Sequence, residues 1–260
     1  MAYSPFNLAG KVALITGGNG GIGLGMADAM AQSGADIVIW GTNEEKNRAA
    51  EASLKKHGVR IATFKVDVSN EAEVVKAMKD SVTKMGRVDS VFANAGIGSA
   101  ARSFIDMTTE QYRKVLAVNL DGVFFTMREA ARHMRERATT GDKGGSLVGI
   151  ASVAAIEGAA RNEHYAATKG GVISMMKSIA VEFARDGVRA NTILPGWIAT
   201  DMTAGAQTSP AFTEKVIPRV PMRRWGEPTD FGGIAIYLAS NASAFHTGDT
   251  FVVDGGYTIF

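Results

Sequence analysis

The sequence predicts an α/β fold built on a parallel sheet with helices on both faces, and three observations lead there. Short β-branched runs alternate with helix-period stretches from one end of the chain to the other. Strictly alternating strands and helices join through right-handed crossovers into a parallel sheet. A glycine-dense turn, Thr16 to Gly23, stands between the first strand and the first helix. Finally, the chain has 260 residues, 46% hydrophobic and 21% charged, with no linker, low-complexity stretch or repeat beyond the βα unit. One domain over residues 1–260 is expected.

The elements follow in order. Lys11-Val12-Ala13-Leu14-Ile15-Thr16 reads as a buried strand, Ile22 to Gln32 as the helix after it, and Gly34 as its stop. Asp36 to Trp40 is the second strand, followed by a helix from Glu44 to His57. Ile61 to Val66 is the third strand, and Ser69-Asn70-Glu71 opens a helix closing near Met85-Gly86. Asp89 to Phe92 is the fourth strand. Thr108-x-x-Gln111 has the form of a capping box and begins one long helix to about Arg137. Ser146 to Ile150 is the fifth strand, with Tyr165 early in the next helix. Val188 to Leu194 is the sixth strand, stopped by Pro195-Gly196. Pro228 stands at the first turn of a last helix, where a missing N–H costs nothing, and Thr250 to Val253 is the final strand. Residues 197–226, about thirty of weak periodicity, break this order. Trp197, Met202, Phe212 and Trp225 within them predict a lid closing over something apolar.

Composition removes several classes of function. The chain carries 28 basic and 26 acidic residues, a net charge of +2, with no basic block. Nucleic acid and anionic membranes are therefore not expected partners. There is no cysteine, which excludes disulfides, thiolate metal sites and a thiol nucleophile and points to a reducing cytoplasm. Four histidines without paired spacing predict no metal site. Met1 to Gly10 has no basic residue and no long apolar run, so no signal peptide is expected there. No run approaches the length of a transmembrane span.

Two features carry chemistry. The run Thr16-Gly17-Gly18-Asn19-Gly20-Gly21-Ile22-Gly23 holds five glycines in its last seven residues. Bare backbone amides at a helix N-terminus, with the helix dipole behind them, suit a pyrophosphate. The second feature is Tyr165-Ala-Ala-Thr-Lys169. Residues four apart share a helix face, and a phenol with a pKa near 10 exchanges protons poorly at neutral pH. An ammonium about 4 Å away is worth on the order of 4 kcal/mol at an effective dielectric near 20, about three pKa units before the cost of burial. The lysine is thus a physical route to a proton-exchanging tyrosine. His164, a third of a turn away, reads as a pocket wall or surface residue.

In these residues the chain resembles the short-chain dehydrogenase/reductase family. Thr16 to Gly23 matches the family's T-G-x-x-x-G-I-G. Its N-N-A-G appears as Ala93-Asn94-Ala95-Gly96, with the first Asn replaced. The resemblance implies a seven-stranded, doubly wound Rossmann sheet, often a homotetramer, with a homodimer the other assembly. It places the catalytic group on Asn119, Ser152, Tyr165 and Lys169. Tyr165 would exchange the proton at the substrate oxygen, and Ser152 would hold that oxygen. Lys169 would depress the tyrosine pKa and bond the nicotinamide ribose, and Asn119 would hold a water linking Lys169 to solvent. Coenzyme contacts are implied at Gly17, Asn19, Gly21, Ile22, Gly23, Asp67, Val68, Asn94, Ala95 and Gly96. Further contacts are implied at Tyr165, Lys169, Pro195, Gly196, Ile198 and Thr200.

The reaction implied is hydride transfer between a nicotinamide and a ketone or secondary alcohol. At the end of the second strand an acid would favour NAD and an arginine NADP. Here Trp40-Gly41-Thr42-Asn43 offers neither. The missing carboxylate tilts the reading to NADP(H), with Thr42, Asn43 and Lys46 as phosphate candidates, and leaves NAD(H) open. The chain is similar both to the family's 3-oxoacyl-carrier-protein reductases and to its sugar and polyol dehydrogenases. The alternative from another class is a non-catalytic dinucleotide-binding redox sensor.

Overall fold

Strand β1 (Val12–Thr16) is buried at all five positions, because strands flank it on both edges and helices cover both faces. The structure, a computed structural model, describes residues 4–260. Met1 to Tyr3, part of the N-terminal segment read above as no signal peptide, lie outside the described residues. The first half continues with α1 (Gly21–Gln32), β2 (Asp36–Gly41), α2 (Glu44–Leu54), β3 (Ile61–Lys65), α3 (Glu71–Met85) and β4 (Ser90–Ala93). The second half holds α4 (Thr109–Leu116), α5 (Gly122–Thr139), β5 (Gly145–Ile150), α6 (Ala154–Glu157), α7 (Glu163–Phe183) and β6 (Val188–Pro195). After them come α8 (Ala204–Gln207), α9 (Pro210–Val216), α10 (Gly232–Ala239) and β7 (Thr250–Val253).

All seven strands are parallel, in the order β3-β2-β1-β4-β5-β6-β7. The winding direction reverses between β1 and β4, which opens a crevice at their C-terminal ends. Alternate β1 side chains face opposite cores. Val12 and Leu14 pack with Val74 of α3, Met127 and Met134 of α5 and Met176 of α7. Ala13 and Ile15 pack with Met26 and Met30 of α1, Leu54 of α2 and Leu238 of α10. This is the single-domain, doubly wound sheet expected from the sequence.

Three local differences matter for the site. The helix expected from Thr108 to Arg137 is not continuous. It starts at the expected capping box of Thr108 and Gln111, but a π-helical turn over Ala117–Asp121 separates α4 from α5. The turn places Asn119 in the interior with no exposed surface, and such insertions concentrate where function needs a side chain re-aimed. Pro228 opens a 3-10 turn, Pro228–Phe231, before α10 begins. Residues 197–226 are not irregular throughout, since α8, α9 and two 3-10 turns lie within them. Helices of four and seven residues are too short to show a 3.6-residue period.

Candidate active site

The glycine turn forms the floor of the crevice. Gly17 and Gly21 both have positive φ, 63° and 48°, a conformation costly to any residue with a Cβ. Helix α1 starts after Gly20, which provides no side-chain cap and around which a Cβ would meet only open space. The first amides of α1 therefore face outward with the positive end of its dipole behind them. Gly23 is required for close packing instead, since a Cβ there would lie 2.4 Å from the Gly17 carbonyl oxygen and 2.6 Å from Asn94 Nδ2. Asn94 ties the turn to β4, its Nδ2 donating to the carbonyls of Thr16 at 3.0 Å and Gly17 at 3.3 Å. Thr16 Oγ1 accepts from the backbone amides of Asn94 and Ala95.

Across the crevice β5 and α7 bring together the residues predicted to handle the proton. Ser152 follows the end of β5 and hydrogen-bonds with Tyr165. Lys169, one turn along α7, is 3% exposed and donates from Nζ to the Ile150 carbonyl at 2.8 Å. Its Nζ lies 5.5 Å from the centre of the Tyr165 ring. Asn119 joins them from the π-turn, its Oδ1 accepting from the Ile97 amide at 2.8 Å and its Nδ2 donating to the Ile97 carbonyl at 2.9 Å. A Cβ on Gly96 would sit 3.4 Å from Asn119 Oδ1 and 3.5 Å from Lys169 Nζ, so the β4 loop touches both. All four predicted catalytic residues converge.

The electrostatics differ from the sequence expectation. Burial pushes the Tyr165 phenol above its ordinary value, and the hydrogen bond with Ser152 opposes it. Burial also lowers Lys169 from 10.5 to about 8. Desolvation of both groups outweighs the through-space help that a solvated lysine would give.

A family model described as enoyl-(acyl carrier protein) reductase matches residues 17–258. A 3-oxoacyl-[acyl-carrier-protein] reductase of Chlamydia pneumoniae is 35% identical over 96% of this chain and 98% of its own. An NADP-dependent (R)-specific alcohol dehydrogenase of Lentilactobacillus kefiri is 39% identical over 96% and 98%. A solved gluconate 5-dehydrogenase of Burkholderia cenocepacia, in complex with NADP and tartrate, superimposes with a TM-score of 0.93. It is 36% identical, covering 99% of both chains. The chain belongs to the short-chain dehydrogenase/reductase family. It is an NAD(P)-dependent oxidoreductase.

The remaining predicted positions of this dehydrogenase/reductase lie around the crevice. Ala93, its one departure from the family motif, is 2% exposed within the core, so no polar partner is lost there. Asn19 Nδ2 donates to Asn47 Oδ1 at 2.7 Å, and Asn47 Nδ2 in turn donates to the carbonyls of Gly41 and Phe64. A Cβ on Gly41 would sit 2.2 Å from Asn19 Nδ2 and 2.5 Å from Asn47 Oδ1. The paired amides thus fill the space a carboxylate at position 41 would need. Sequence reasoning missed Asn47; a polar residue on the apolar stripe of α2 is the signal that could have found it.

Thr42 and Asn43 are exposed at the crevice rim, but Asn43 Oδ1 caps α2 by accepting from the Lys46 amide. Lys46 reaches across to Asp201, Nζ to Oδ2 2.6 Å. Asp67 Oδ1 accepts from the amide and hydroxyl of Ser69, and Val68 is buried against Gly122. Gly196 packs on Asp254 and Ile198 on Gly226. Thr200 comes closest to the cradle: its Cγ2 would be 3.2 Å from a Cβ on Gly21. Pro195 ends β6 beside them, and Ile22 is half-buried at the start of α1.

The aromatic side chains of residues 197–226 pack on one another. Trp197 meets Phe212 at 4.9 Å and Trp225 at 6.1 Å between ring centres, with Tyr257 at 6.3 Å. Met202 is 55% exposed. Beneath this segment lies a cavity of about 210 Å³ whose lining includes Trp197, Val220, Met222 and Asp254. His164 is 1% exposed, so its reading as a surface residue is overturned. Among the described residues no group of three or more His, Asp or Glu is placed to hold a metal, and no helix is long and apolar enough to cross a membrane.

Proposed function

We propose that the protein reduces a small polar ketone to a secondary alcohol with NADPH, and runs the reverse reaction with NADP. The convergence of Ser152, Tyr165 and Lys169 opposite the glycine cradle carries this reading. When bound, the reduced nicotinamide supplies a hydride to the carbonyl carbon. Ser152 holds the substrate oxygen by hydrogen bonding. Tyr165, kept protonated at neutral pH by its raised pKa, donates its proton to that oxygen as negative charge builds. Lys169 gives one N–H to the Ile150 carbonyl, and its remaining donors would hold the nicotinamide ribose. Asn119 fixes the Gly96-Ile97 segment that walls this path. The coenzyme contacts are the cradle residues together with Asp67, Asn94 to Gly96 and Pro195 to Thr200.

NADP is favoured because the Asn19–Asn47 pair excludes an acid from position 41 and Lys46 stands within the rim. For the substrate, burial raises the Glu157 carboxyl while Arg219 opposes this and Asp254 adds to it. Three charged groups near enough to act on one another suit a sugar, sugar acid or polyol better than an acyl chain. Residues 197–226 act as the lid over that pocket. A homotetramer is the proposed assembly, supported by exposed Tyr112, Phe124 and Val181 on α4, α5 and α7; the absence of cysteine supports a cytoplasmic setting.

The test is a panel of sugar-derived ketones, polyols and a 3-oxoacyl thioester with both coenzymes, followed at the reduced-nicotinamide absorbance band. Turnover of polyol-type substrates with NADP(H) supports the reading. Tight coenzyme binding with no turnover of any ketone or alcohol would replace it with the redox sensor.

A further inference from the structure

At the opposite end of the strands from the active site lies a second cavity, of about 160 Å³. It opens where β1, β5 and β6 begin, and its charged lining is Lys11, Arg137, Lys143, Arg189 and Asp89. From Gly145 at its wall to Ser152 the chain runs along β5, roughly 20 Å at about 3.3 Å per residue. It is therefore separate from the coenzyme crevice.

Four cations face one carboxylate, and that carboxylate is already engaged. Asp89 accepts two hydrogen bonds to one oxygen and one to the other from Arg87, and one from the Val12 amide at 2.9 Å. Arg137 also lies 3.4 Å from it and Lys11 3.9 Å. Arg137 Nε is paired with Asp142. Among the described residues neither Lys143 nor Arg189 has a carboxylate within ion-pair distance. Lys143 Nζ finds only the Arg185 carbonyl at 3.4 Å. Arg189 donates from Nη2 to the carbonyls of Leu238 and Ser240, and its Nη1 is buried with no hydrogen-bond partner. Arg189 nonetheless lines the cavity with its charge uncompensated by any carboxylate among the described residues.

We infer that this cavity is a binding site for a small multivalent oxyanion of the phosphate type, held by Arg189 and Lys143. Arg137 and Lys11 add to the positive field. A guanidinium and an ammonium lining one wall suit the charge of a phosphate-type anion. A cavity of about 160 Å³ has room for inorganic phosphate or the phosphate group of a small ester. Burial holds the Arg189 pKa below its ordinary value, in keeping with a cation awaiting an anion.

The inference does not rest on the reading of the active site, and its test is separate. The full-length protein is titrated with inorganic phosphate and, in parallel, glycerol phosphate. Sodium chloride at matched ionic strength is the control, with binding followed by calorimetry and thermal stability. Wild type should show saturable binding beyond the chloride control. Lys143→Gln, a change at an exposed residue, should weaken it about threefold, and Arg189→Gln about tenfold. Ketone turnover by Lys143→Gln should stay at the wild-type rate. Tighter binding of glycerol phosphate would identify an ester as the natural ligand, and equal binding the free ion. Binding equal in wild type and Lys143→Gln would place the anion in the glycine cradle and overturn the proposal, as would no response beyond chloride. Since Arg189→Gln removes donors from two buried carbonyls, Lys143→Gln alone decides the matter if that variant fails to fold.

Discussion

Replacing Lys169 with Met should make the protein more stable at neutral pH while abolishing turnover. The lysine's folded pKa is about 8 against an ordinary 10.5. At about 1.4 kcal/mol per pKa unit, holding the charged ammonium in the fold costs about 3 kcal/mol. Methionine fills similar volume without charge, but it leaves the Ile150 carbonyl without its 2.8 Å donor, a loss of about 1 kcal/mol. The net gain near pH 7 is about 2 kcal/mol, a rise in melting temperature of roughly 4–8 °C for a chain of this size. The pH dependence fixes the origin of the effect. Between about pH 8 and 10.5 the unfolded lysine keeps its proton while the folded one loses it, so wild-type stability rises with pH over that window. The difference between the two proteins should therefore shrink toward zero by pH 10, before tyrosine titration intrudes. Urea unfolding of both proteins at pH 7, 8, 9 and 10, followed by circular dichroism, reads this directly. A variant less stable than wild type at pH 7, or a gap unchanged from pH 7 to 10, would refute the reasoning.

Three further outcomes are expected. Tyr165→Phe should lower kcat by a hundredfold or more while leaving the dissociation constant of NADPH within about twofold; near-normal turnover would remove Tyr165 from the proton path. Gly23→Ala forces a Cβ to 2.4 Å from a backbone oxygen, so a loss of about 1–3 kcal/mol is expected, with weakened NADPH binding in fluorescence titration. An alanine variant with wild-type stability and affinity would contradict the close packing of the glycine turn. Asp201→Asn releases Lys46 from its exposed ion pair and should raise the ratio of kcat/KM for NADPH over NADH. An unchanged ratio would take Lys46 out of phosphate recognition.

The seven strands, the glycine turn and the Tyr165/Lys169 pair were legible because each is a local signal, whereas the doubly wound order and the positions of Asn119 and Ser152 came from the family resemblance. A buried strand, a glycine cluster or an i,i+4 pair needs only a few consecutive residues. Strand β7 falls on Thr250–Val253 as read, and the Thr108 cap is present with both its hydrogen bonds. What escaped depends on distant partners. The π-turn at Asn119 is set by the Ile97 backbone 22 residues earlier, and one extra residue in a helix leaves no trace in a 3.6-residue period. Asn47 acquires its role from Asn19, 28 positions away. The tyrosine pKa went astray because its burial depends on how β5 and α7 pack, whereas sequence spacing reports only the neighbouring cation.

The amide pair over Gly41 bears on any attempt to re-engineer coenzyme choice. Introducing an aspartate at that position by itself would push against the Asn19 and Asn47 side-chain ends and break their mutual hydrogen bond. Positions 19, 41 and 47 are coupled, so a carboxylate at 41 has to displace the Asn19 and Asn47 side-chain ends, and changes at 19 and 47 belong with it. A combinatorial library over those three positions is the route to a variant that prefers the unphosphorylated coenzyme.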